Sequence, residues 1–139
     1  MAHSDKELPD KVLCFNAADL KICIDVKSVL KVIMLPYLEH SPVQTAGLVG
    51  MLNYAGENIN VVDLYSLLAG NRETPYTLNN LVIITSVNES ITGFIVDEVY
   101  GIKEIDAEKI QLKDKLNESL VKGTVILDDE IYSLLRGPL

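Results

Sequence analysis

The sequence predicts a mainly all-β fold built from small barrels, and three observations support this prediction. The 139 residues contain ten or so short apolar stretches separated by turn-forming residues, a pattern typical of small barrels. Much of the 48% hydrophobic content is Val, Ile and Leu in short runs, which favours strands over helices. The third observation is an internal repeat of the strand pattern.

The repeat has an offset of 72 or 73 residues. Three pairs of equivalent residues define it: Asn16 with Asn88, Asp25 with Asp97, and Gly50 with Gly123. Two copies of one β unit therefore account for nearly all of the chain. We expect a pair of related subdomains within a single domain spanning residues 11–139, and not a solenoid, because repeat arrays need three or more copies.

The first repeat covers about residues 11–70 and follows a tail, residues 1–10, that we expect to be flexible. Strands are predicted at 12–15, 20–24 and 29–35, with a turn at 16–19 and one helical turn or bulge at 25–28. Pro36 ends the third strand, and a loop follows over 37–45.

A hairpin closes the first repeat. Two apolar runs, 48–52 and 59–62, flank a polar segment in which Gly56 and Asn58 tolerate positive φ at little cost. Ile59 and Val61 alternate with polar residues, as in a half-buried strand. Asp63 can cap a short helix over 64–69, which Gly70 would end.

The second repeat, about residues 81–139, follows a polar connector at 71–80 and shows the same order of elements. The run 81–85 is apolar throughout, which predicts a strand buried on both faces. Further strands are predicted at 91–96 and 100–105, and Asp106 can cap a short helix. Residues 113–119 are expected to form a loop before a final hairpin, 120–127 with 131–135, around Asp128-Asp129.

Charge and hydropathy exclude several classes of partner. The net charge is −8, with 20 acidic against 12 basic residues, so the basic footprint of a nucleic-acid-binding protein is missing. No apolar run approaches the ~18 residues that a membrane-spanning helix needs, so no direct membrane insertion is expected. The N-terminus carries no apolar signal core, and we expect a cytoplasmic protein.

The sequence offers no set of residues suited to catalysis. His3 and His40 have no partner at ligand or triad spacing, and the phosphate-binding and nucleophile motifs are absent. Asp128-Asp129-Glu130 supplies too few ligands for a hard cation and is better explained as a solvated turn. We therefore expect a binding module with no catalytic residues, no bound metal and no cofactor.

Cys14 and Cys23 are both placed inside predicted strands, with no C-x-x-C spacing and no nearby histidine. If their strands pair, a cross-strand disulfide is conceivable. The alternative, which we favour, is two buried small hydrophobic residues in a reducing compartment.

The chain resembles the CheW-like coupling domains of bacterial and archaeal chemotaxis over nearly its full length. Four segments carry the resemblance, in order and with the spacing of the family. They are 13–29, with Leu13-Cys-Phe15 and Ile22-Cys-Ile-Asp-Val26; the hairpin Gly50–Leu64, which is similar to the family's G-V-x-N-L-R-G-x-x-x-P-V-x-D-L; 81–99; and Leu120-Val-Lys-Gly123.

This resemblance implies two five-stranded SH3-like barrels that share a core, with a few short helices. It also implies a non-catalytic adaptor that couples the cytoplasmic tip of a chemoreceptor to the regulatory domain of a histidine autokinase. Partner contacts are expected on apolar strand edges and on the first hairpin, because exposed apolar positions in an acidic chain call for an interface. The candidate residues are Val29, Lys31, Val32, Leu52, Asn53, Tyr54, Ala55, Gly56 and Val99.

The chain departs from the family pattern at four places. The motif Arg falls on Ala55, its Pro on Asn60, and a Glu common in the family on Lys31. The chain also ends at Arg136-Gly-Pro-Leu139, short of the family's usual closing helix. In the family this Glu and this Arg can form an ion pair, so both members of the pair are changed here. Two alternatives remain open: a divergent module that binds only one of the two partners, and an SH3-like barrel protein that binds a small ligand. A third alternative, an enzyme, is less well supported by the sequence.

Overall fold

The computed structural model describes residues 8–40, 47–70, 77, 79–87, 89–112 and 120–136. Over these residues the chain forms eleven strands and one short helix, α1 (Leu64–Ala69). The strands are β1 (Lys11–Ala17), β2 (Leu20–Asp25), β3 (Val29–Met34), β4 (Leu48–Tyr54), β5 (Glu57–Asp63), β6 (Leu81–Val87), β7 (Ser90–Val96), β8 (Glu98–Glu104), β9 (Gln111–Leu112), β10 (Val121–Leu127) and β11 (Glu130–Leu135). Two 3-10 turns, Val26–Ser28 and Ala107–Lys109, precede β3 and β9.

The strands form two sheets, and each sheet takes strands from both sequence repeats. The order is β3-β6-β7-β5-β4 in the five-stranded sheet and β8-β1-β2-β11-β10-β9 in the six-stranded sheet. Neighbours pair antiparallel except β5 with β7 and β2 with β11, which pair parallel and join strands of different repeats. The five-stranded sheet is therefore contiguous in the chain, whereas the six-stranded sheet combines the first two strands with the last four.

In each sheet, one segment of chain starts at the strand on one edge and reaches the strand on the opposite edge. This segment closes the sheet into a small barrel. After β3, the chain continues to Glu39, which bridges Met51 on β4, at the opposite edge of the five-stranded sheet. After β8, the chain continues to β9, which pairs with Gly123 and Thr124 of β10. With β8 and β9 counted as one bent strand, both barrels are five-stranded, which confirms the predicted fold.

Gly50 and Gly123 stand where these closing segments cross β4 and β10. A Cβ atom on Gly50 would lie 2.8 Å from the carbonyl oxygen of Glu39. A Cβ atom on Gly123 would clash with the carbonyl oxygen of Gln111 and lie 3.0 Å from the Cα of Leu112. Close approach of two backbones therefore explains why both repeats carry glycine at this position.

Three groups of buried side chains hold the fold together. One fills the barrel of the five-stranded sheet and includes Leu52, Ile59 and Val61. Another fills the other barrel and includes Cys14, Cys23, Val125, Tyr132 and Leu134. The largest lies between the barrels and draws on both sheets and on α1, with Phe15, Ile22, Leu64, Ile83 and Phe94 among its members. The predicted shared core is confirmed.

The local predictions hold for most elements. Asp63 caps α1 by accepting a hydrogen bond from the backbone N–H of Tyr65 at 3.1 Å, and Gly70 follows the helix with φ +104°. Asp25 and Asp106 cap the two 3-10 turns. Residues 82–85 of β6 are buried, as predicted for a strand covered on both faces. The predicted loop at 113–119, Asn88 and most of the connector lie outside the described residues.

Two details differ from the prediction. The strand β9 escaped prediction because two exposed residues carry no periodic signal. Residues 8–10, which were expected to belong to a flexible tail, are packed: Leu8 contacts the core of the six-stranded sheet, Pro9 is buried, and the carbonyl of Asp10 accepts a 2.9 Å hydrogen bond from the N–H of Ile105.

Candidate partner-binding surface

The first hairpin presents a tight two-residue turn, Ala55-Gly56, at its tip. Both residues have positive φ, +52° and +86°, as a type I′ turn requires. Asn58 lies in β5 opposite Asn53 and does not take positive φ, so the turn is shorter than the sequence predicted, and Ala55 adopts the left-handed conformation instead. Asn53, Ala55 and Gly56 are exposed.

Leu52 and Tyr54 are less available than expected. Leu52 retains only 5% of its exposure and belongs to the barrel interior, so its side chain cannot contact a partner directly. Tyr54 is half-buried and packs against the same interior. The hairpin tip therefore offers a small polar surface with one partly exposed aromatic ring.

The candidates Val29, Val32 and Val99 face the shared core, each being partly buried against it. A register shift between Val29 and Lys31 lets Val29 and Val32 point to the same side although they are three positions apart. The exposed apolar side chains on these strands are their neighbours: Leu30 and Met34 on β3, and Tyr100 and Ile102 on β8. The sequence therefore singled out positions on these strands whose side chains face inward, while the outward-facing apolar positions are Leu30, Met34, Tyr100 and Ile102.

Lys31 is exposed on β3, and within the described part of the chain it has no salt bridge. Strands β3 and β4 form opposite edges of one sheet, which curls until the chain beyond β3 reaches β4. The fold brings Asn53, Tyr54, Ala55 and Gly56 together at one hairpin tip. Val29, Val32 and Val99 instead border the core between the barrels.

A charged cluster on the six-stranded sheet was not anticipated from the sequence. The ammonium group of Lys21 lies 3.2 Å from the Tyr100 hydroxyl, 3.1 Å from a Glu130 carboxylate oxygen and 4.8 Å from the centre of the Tyr100 ring. The hydrogen bond to Tyr100, and after it the one to Glu130, raises the pKa of Lys21. Lys103 forms an ion pair with Asp128, which raises the pKa of Lys103. Only the fold brings these residues close, because they are distant in sequence.

The acidic segments take structural roles. Asp128 and Asp129 form the turn of the second hairpin, with φ +52° and +65°, and Asp128 and Glu130 each pair with a lysine. Asp97 lies in the bend between β7 and β8, where one carboxylate oxygen accepts a 2.5 Å hydrogen bond from the N–H of Ala18. No group of three or more potential metal ligands occurs among the residues that the structure describes.

Cys14 and Cys23 lie opposite each other in the antiparallel pairing of β1 with β2. Both are fully buried and both are free thiols, as the favoured interpretation predicted. Burial raises the pKa of Cys14 from 9.0 to about 11, against a smaller lowering by Lys103. Burial raises the pKa of Cys23 from 9.0 to about 12. Neither thiol is therefore activated as a nucleophile.

The helical content of the described residues gives no membrane span. No helix there is long and apolar enough to cross a bilayer; α1 has six residues.

Comparison with known proteins agrees with this architecture. The family model for the CheW-like domain matches residues 11–138. The chain is similar to the probable chemotaxis protein CheW of Rhizobium etli, with 24% identity over 139 residues, covering 95% of this chain and 84% of that protein. It is also similar to the chemotaxis protein CheW of Rhizobium meliloti, with 20% identity over 130 residues, covering 91% and 83%.

The fold is shared with a solved structure. The crystal structure of the scaffolding protein TtCheW from Thermoanaerobacter tengcongensis superposes with a TM-score of 0.80 at 23% identity, covering 92% of this chain and 89% of that one. Because the family model spans both barrels and both hairpins, this chain belongs to the CheW-like domain family.

Proposed function

We propose that this chain is a non-catalytic adaptor of chemotaxis-type signal transduction, which couples the cytoplasmic tip of a chemoreceptor to the regulatory domain of a histidine autokinase. The observation that carries the proposal is the match of the CheW-like family over residues 11–138, which includes every strand of both barrels. The similar proteins of Rhizobium are chemotaxis proteins, which supports the proposal, and we infer that the adaptor acts in the cytoplasm.

The surface that we assign to partner binding combines the first hairpin tip with the edges β3 and β8. Asn53, Tyr54, Ala55 and Gly56 form the tip, and Lys31 stands exposed on β3. Val29, Val32 and Val99 lie beneath those edges, and Leu52 supports the tip from inside the barrel. Protein partners fit this surface because edge strands offer unpaired backbone groups next to exposed apolar side chains.

A small-ligand function is less well supported by the packing. Both barrel interiors are occupied by the chain's own side chains, such as Leu52 and Ile59 in one and Val125 and Tyr132 in the other. A ligand would have to displace these close-packed groups, at a cost in stability. Small-ligand barrels instead keep an internal cavity.

Two residues support a narrower version of the adaptor function as an alternative. Lys31 and Ala55 replace the opposite charges that the family commonly carries, so one of the two partner contacts can differ from the family pattern. In this version the chain binds either the receptor or the kinase, but not both.

Reconstitution tests both versions. The chain is mixed with a histidine autokinase and receptor cytoplasmic fragments encoded in the same genome, and complexes are separated by size-exclusion chromatography. A ternary complex that raises kinase autophosphorylation at least tenfold over the receptor–kinase mixture supports the adaptor. A single binary complex supports the narrower version, and no complex with either protein would refute both.

A further inference from the structure

The second hairpin is the structural copy of the first. Adding 73 to the residue numbers of β4 gives those of β10, and the same offset relates the start of β5 to the start of β11 and the two turn residues with positive φ to each other. The pairing register also shifts at the same place, between Leu48 and Gly50 in one copy and between Val121 and Gly123 in the other. The two hairpins are therefore structurally equivalent position by position.

One pair of facing residues is polar in the first copy and apolar in the second. Asn53 pairs with Asn58 in the first hairpin, and Ile126 pairs with Ile131 at the equivalent positions of the second. Ile126 is 61% exposed and Ile131 67% exposed, so neither side chain is needed to fill a core. Since the same hairpin geometry forms with two asparagines, the fold does not demand this apolar pair. Two adjacent exposed isoleucines are typical of an interaction surface.

The isoleucines border a groove of about 350 Å³ that runs between the second hairpin and the 3-10 turn Ala107–Lys109. Glu108, Lys109, Gln111, Thr124 and Val125 form the rest of its lining. Among the described residues, strand β9 pairs with Gly123 and Thr124 only, and no strand lies beside the outer edge of β10 from Val125 to Leu127. An extended peptide lying in the groove could pair with this part of the edge and add a strand to the sheet.

Charge around the groove favours a basic occupant. The groove and its continuation towards the hairpin turn are lined by the carboxylates of Glu104, Asp106, Glu108 and Asp128 and by one lysine, Lys109. Asp128 is paired with Lys103, and three carboxylates remain against Lys109. A second copy of this chain, which carries a net charge of −8, would be repelled, whereas a cationic segment would be attracted.

We propose that this groove binds an extended segment of another protein that carries aliphatic side chains flanked by lysine or arginine. The segment's backbone pairs with the open edge of β10, its aliphatic side chains cover Ile126 and Ile131, and its cationic side chains face Glu104, Asp106 and Glu108. The groove is distinct from the first hairpin, and the proposal does not depend on the identity of the signalling partners.

The test uses three fluorescently labelled synthetic peptides of twelve residues with the full-length chain. The first alternates isoleucine with lysine, the second alternates isoleucine with glutamate, and the third alternates serine with lysine. Fluorescence anisotropy measures the dissociation constants at low salt and at about 0.5 M salt. We expect the isoleucine–lysine peptide to bind at least tenfold more tightly than either of the others, and salt to weaken this binding.

Variant chains locate the binding site. Ile126→Asn with Ile131→Asn copies the first hairpin's asparagine pair and should weaken binding at least tenfold. Leu67→Asn, which removes an exposed aliphatic side chain on α1, is the control and should leave binding unchanged. Circular dichroism confirms folding, and the single variant Ile131→Asn serves if the double variant does not fold.

Three outcomes would overturn the proposal: no binding of the isoleucine–lysine peptide, equal binding by the double variant, or equal binding of the isoleucine–glutamate peptide. Sedimentation of the chain alone tests whether a second copy of the chain occupies this surface. A dimer that the double variant abolishes would assign the surface to a second copy of the chain and would likewise overturn the proposal.

Discussion

Asn80 donates a 2.8 Å hydrogen bond from its side-chain Nδ2 to Oδ1 of Asp97, at the point where the chain leaves the five-stranded sheet for the six-stranded one. The same Nδ2 group donates to the carbonyl of Val96 at 3.0 Å, and the Asn80 Oδ1 atom accepts from the N–H of Thr77 at 2.9 Å. The other oxygen of Asp97 accepts from Ala18. One amide and one carboxylate therefore tie β6, the β7–β8 bend and the β1–β2 turn together.

Replacing Asn80 by Ala should destabilise the chain by roughly 1–3 kcal/mol, because the carbonyl of Val96, the N–H of Thr77 and the Asp97 carboxylate each lose a partner at a site where Asn80 is only 5% exposed. Urea unfolding measures the loss. Asn53→Ala is the matched control, since Asn53 is exposed on β4, and should change stability by no more than about 0.5 kcal/mol. Equal effects of the two substitutions would show that the Asn80 contacts contribute nothing.

The two cysteines should resist alkylation well above neutral pH. Burial raises their pKa values to about 11 and about 12, and only the thiolate reacts. A raised pKa keeps the thiol protonated up to a higher pH. The rate of alkylation should therefore stay low at pH 9, where an exposed thiol is half ionised. The measurement is iodoacetamide labelling followed by mass spectrometry from pH 7 to 10, with urea-unfolded chain as the control. Labelling of the folded chain at the rate of the unfolded one would contradict the prediction.

The sequence predicted the strands, the caps and the repeat because each depends on local chemistry. The alternation of Ile59 and Val61 marks one face of β5, and Asp63 supplies the oxygen that the first turn of α1 needs. Gly50 and Gly123 were identified by their spacing alone. Their physical role, close passage of a second backbone, appeared only with the closed barrels.

The candidate surface was harder to predict because exposure depends on tertiary contacts. A register shift in β3 reverses the alternation of inward and outward positions, so Val29 and Val32 both face the core. The assignment of strands to sheets was also beyond local reasoning, since pairings between strands of different repeats determine it, two of them parallel and two antiparallel. The ion pairs of Lys21 and Lys103 depend on that same assignment.

Ala55→Gly should stabilise the first hairpin. Ala55 adopts φ +52°, a conformation that costs an L-residue roughly 1–2 kcal/mol and glycine almost nothing. Part of this gain is offset by the greater backbone entropy of glycine in the unfolded chain, which leaves an expected increase of about 0.5–1 kcal/mol. Urea unfolding checks it, with Ala69→Gly, at the end of α1, as a control that should destabilise. A loss of stability for Ala55→Gly would mean that the turn is not strained.

Tyr54→Ala should weaken binding to the kinase regulatory domain or to the receptor tip by roughly 1–2 kcal/mol, since aromatic residues dominate interface hot spots. Tyr54 also packs against the barrel interior, so the variant will lose stability as well. Tyr54→Phe keeps the packed ring, so its comparison with Tyr54→Ala separates the loss of binding from the loss of stability. Isothermal titration calorimetry on variants shown to be folded measures the affinity. Unchanged affinity of folded Tyr54→Ala for both partners would remove Tyr54 from the surface.

The last prediction concerns Lys31 and Ala55, where the family commonly carries glutamate and arginine. Both positions are exposed, Lys31 on β3 and Ala55 at the hairpin tip, and β3 and β4 are the two edges of a sheet that curls into a barrel. If the barrel brings them within reach, Ala55→Arg alone places two cations side by side and should destabilise slightly. An exposed charge pair contributes only about 0.2–1 kcal/mol, so Lys31→Glu alone should also have little effect.

The double change should be more stable, or bind the kinase regulatory domain more tightly, than the two single changes predict by addition. Residues in contact usually couple by about 0.5–3 kcal/mol, which exceeds the scatter of about 0.3–0.5 kcal/mol for independent sites. A denaturant-unfolding cycle on all four variants measures the coupling in stability, and a titration cycle measures it in binding. Arginine at position 55 keeps a non-glycine residue at φ +52°, so backbone strain cancels within the cycle. A coupling energy within this scatter in both cycles would show that positions 31 and 55 do not contact each other. That result would contradict the pairing of Lys31 with Ala55 but would not affect the fold.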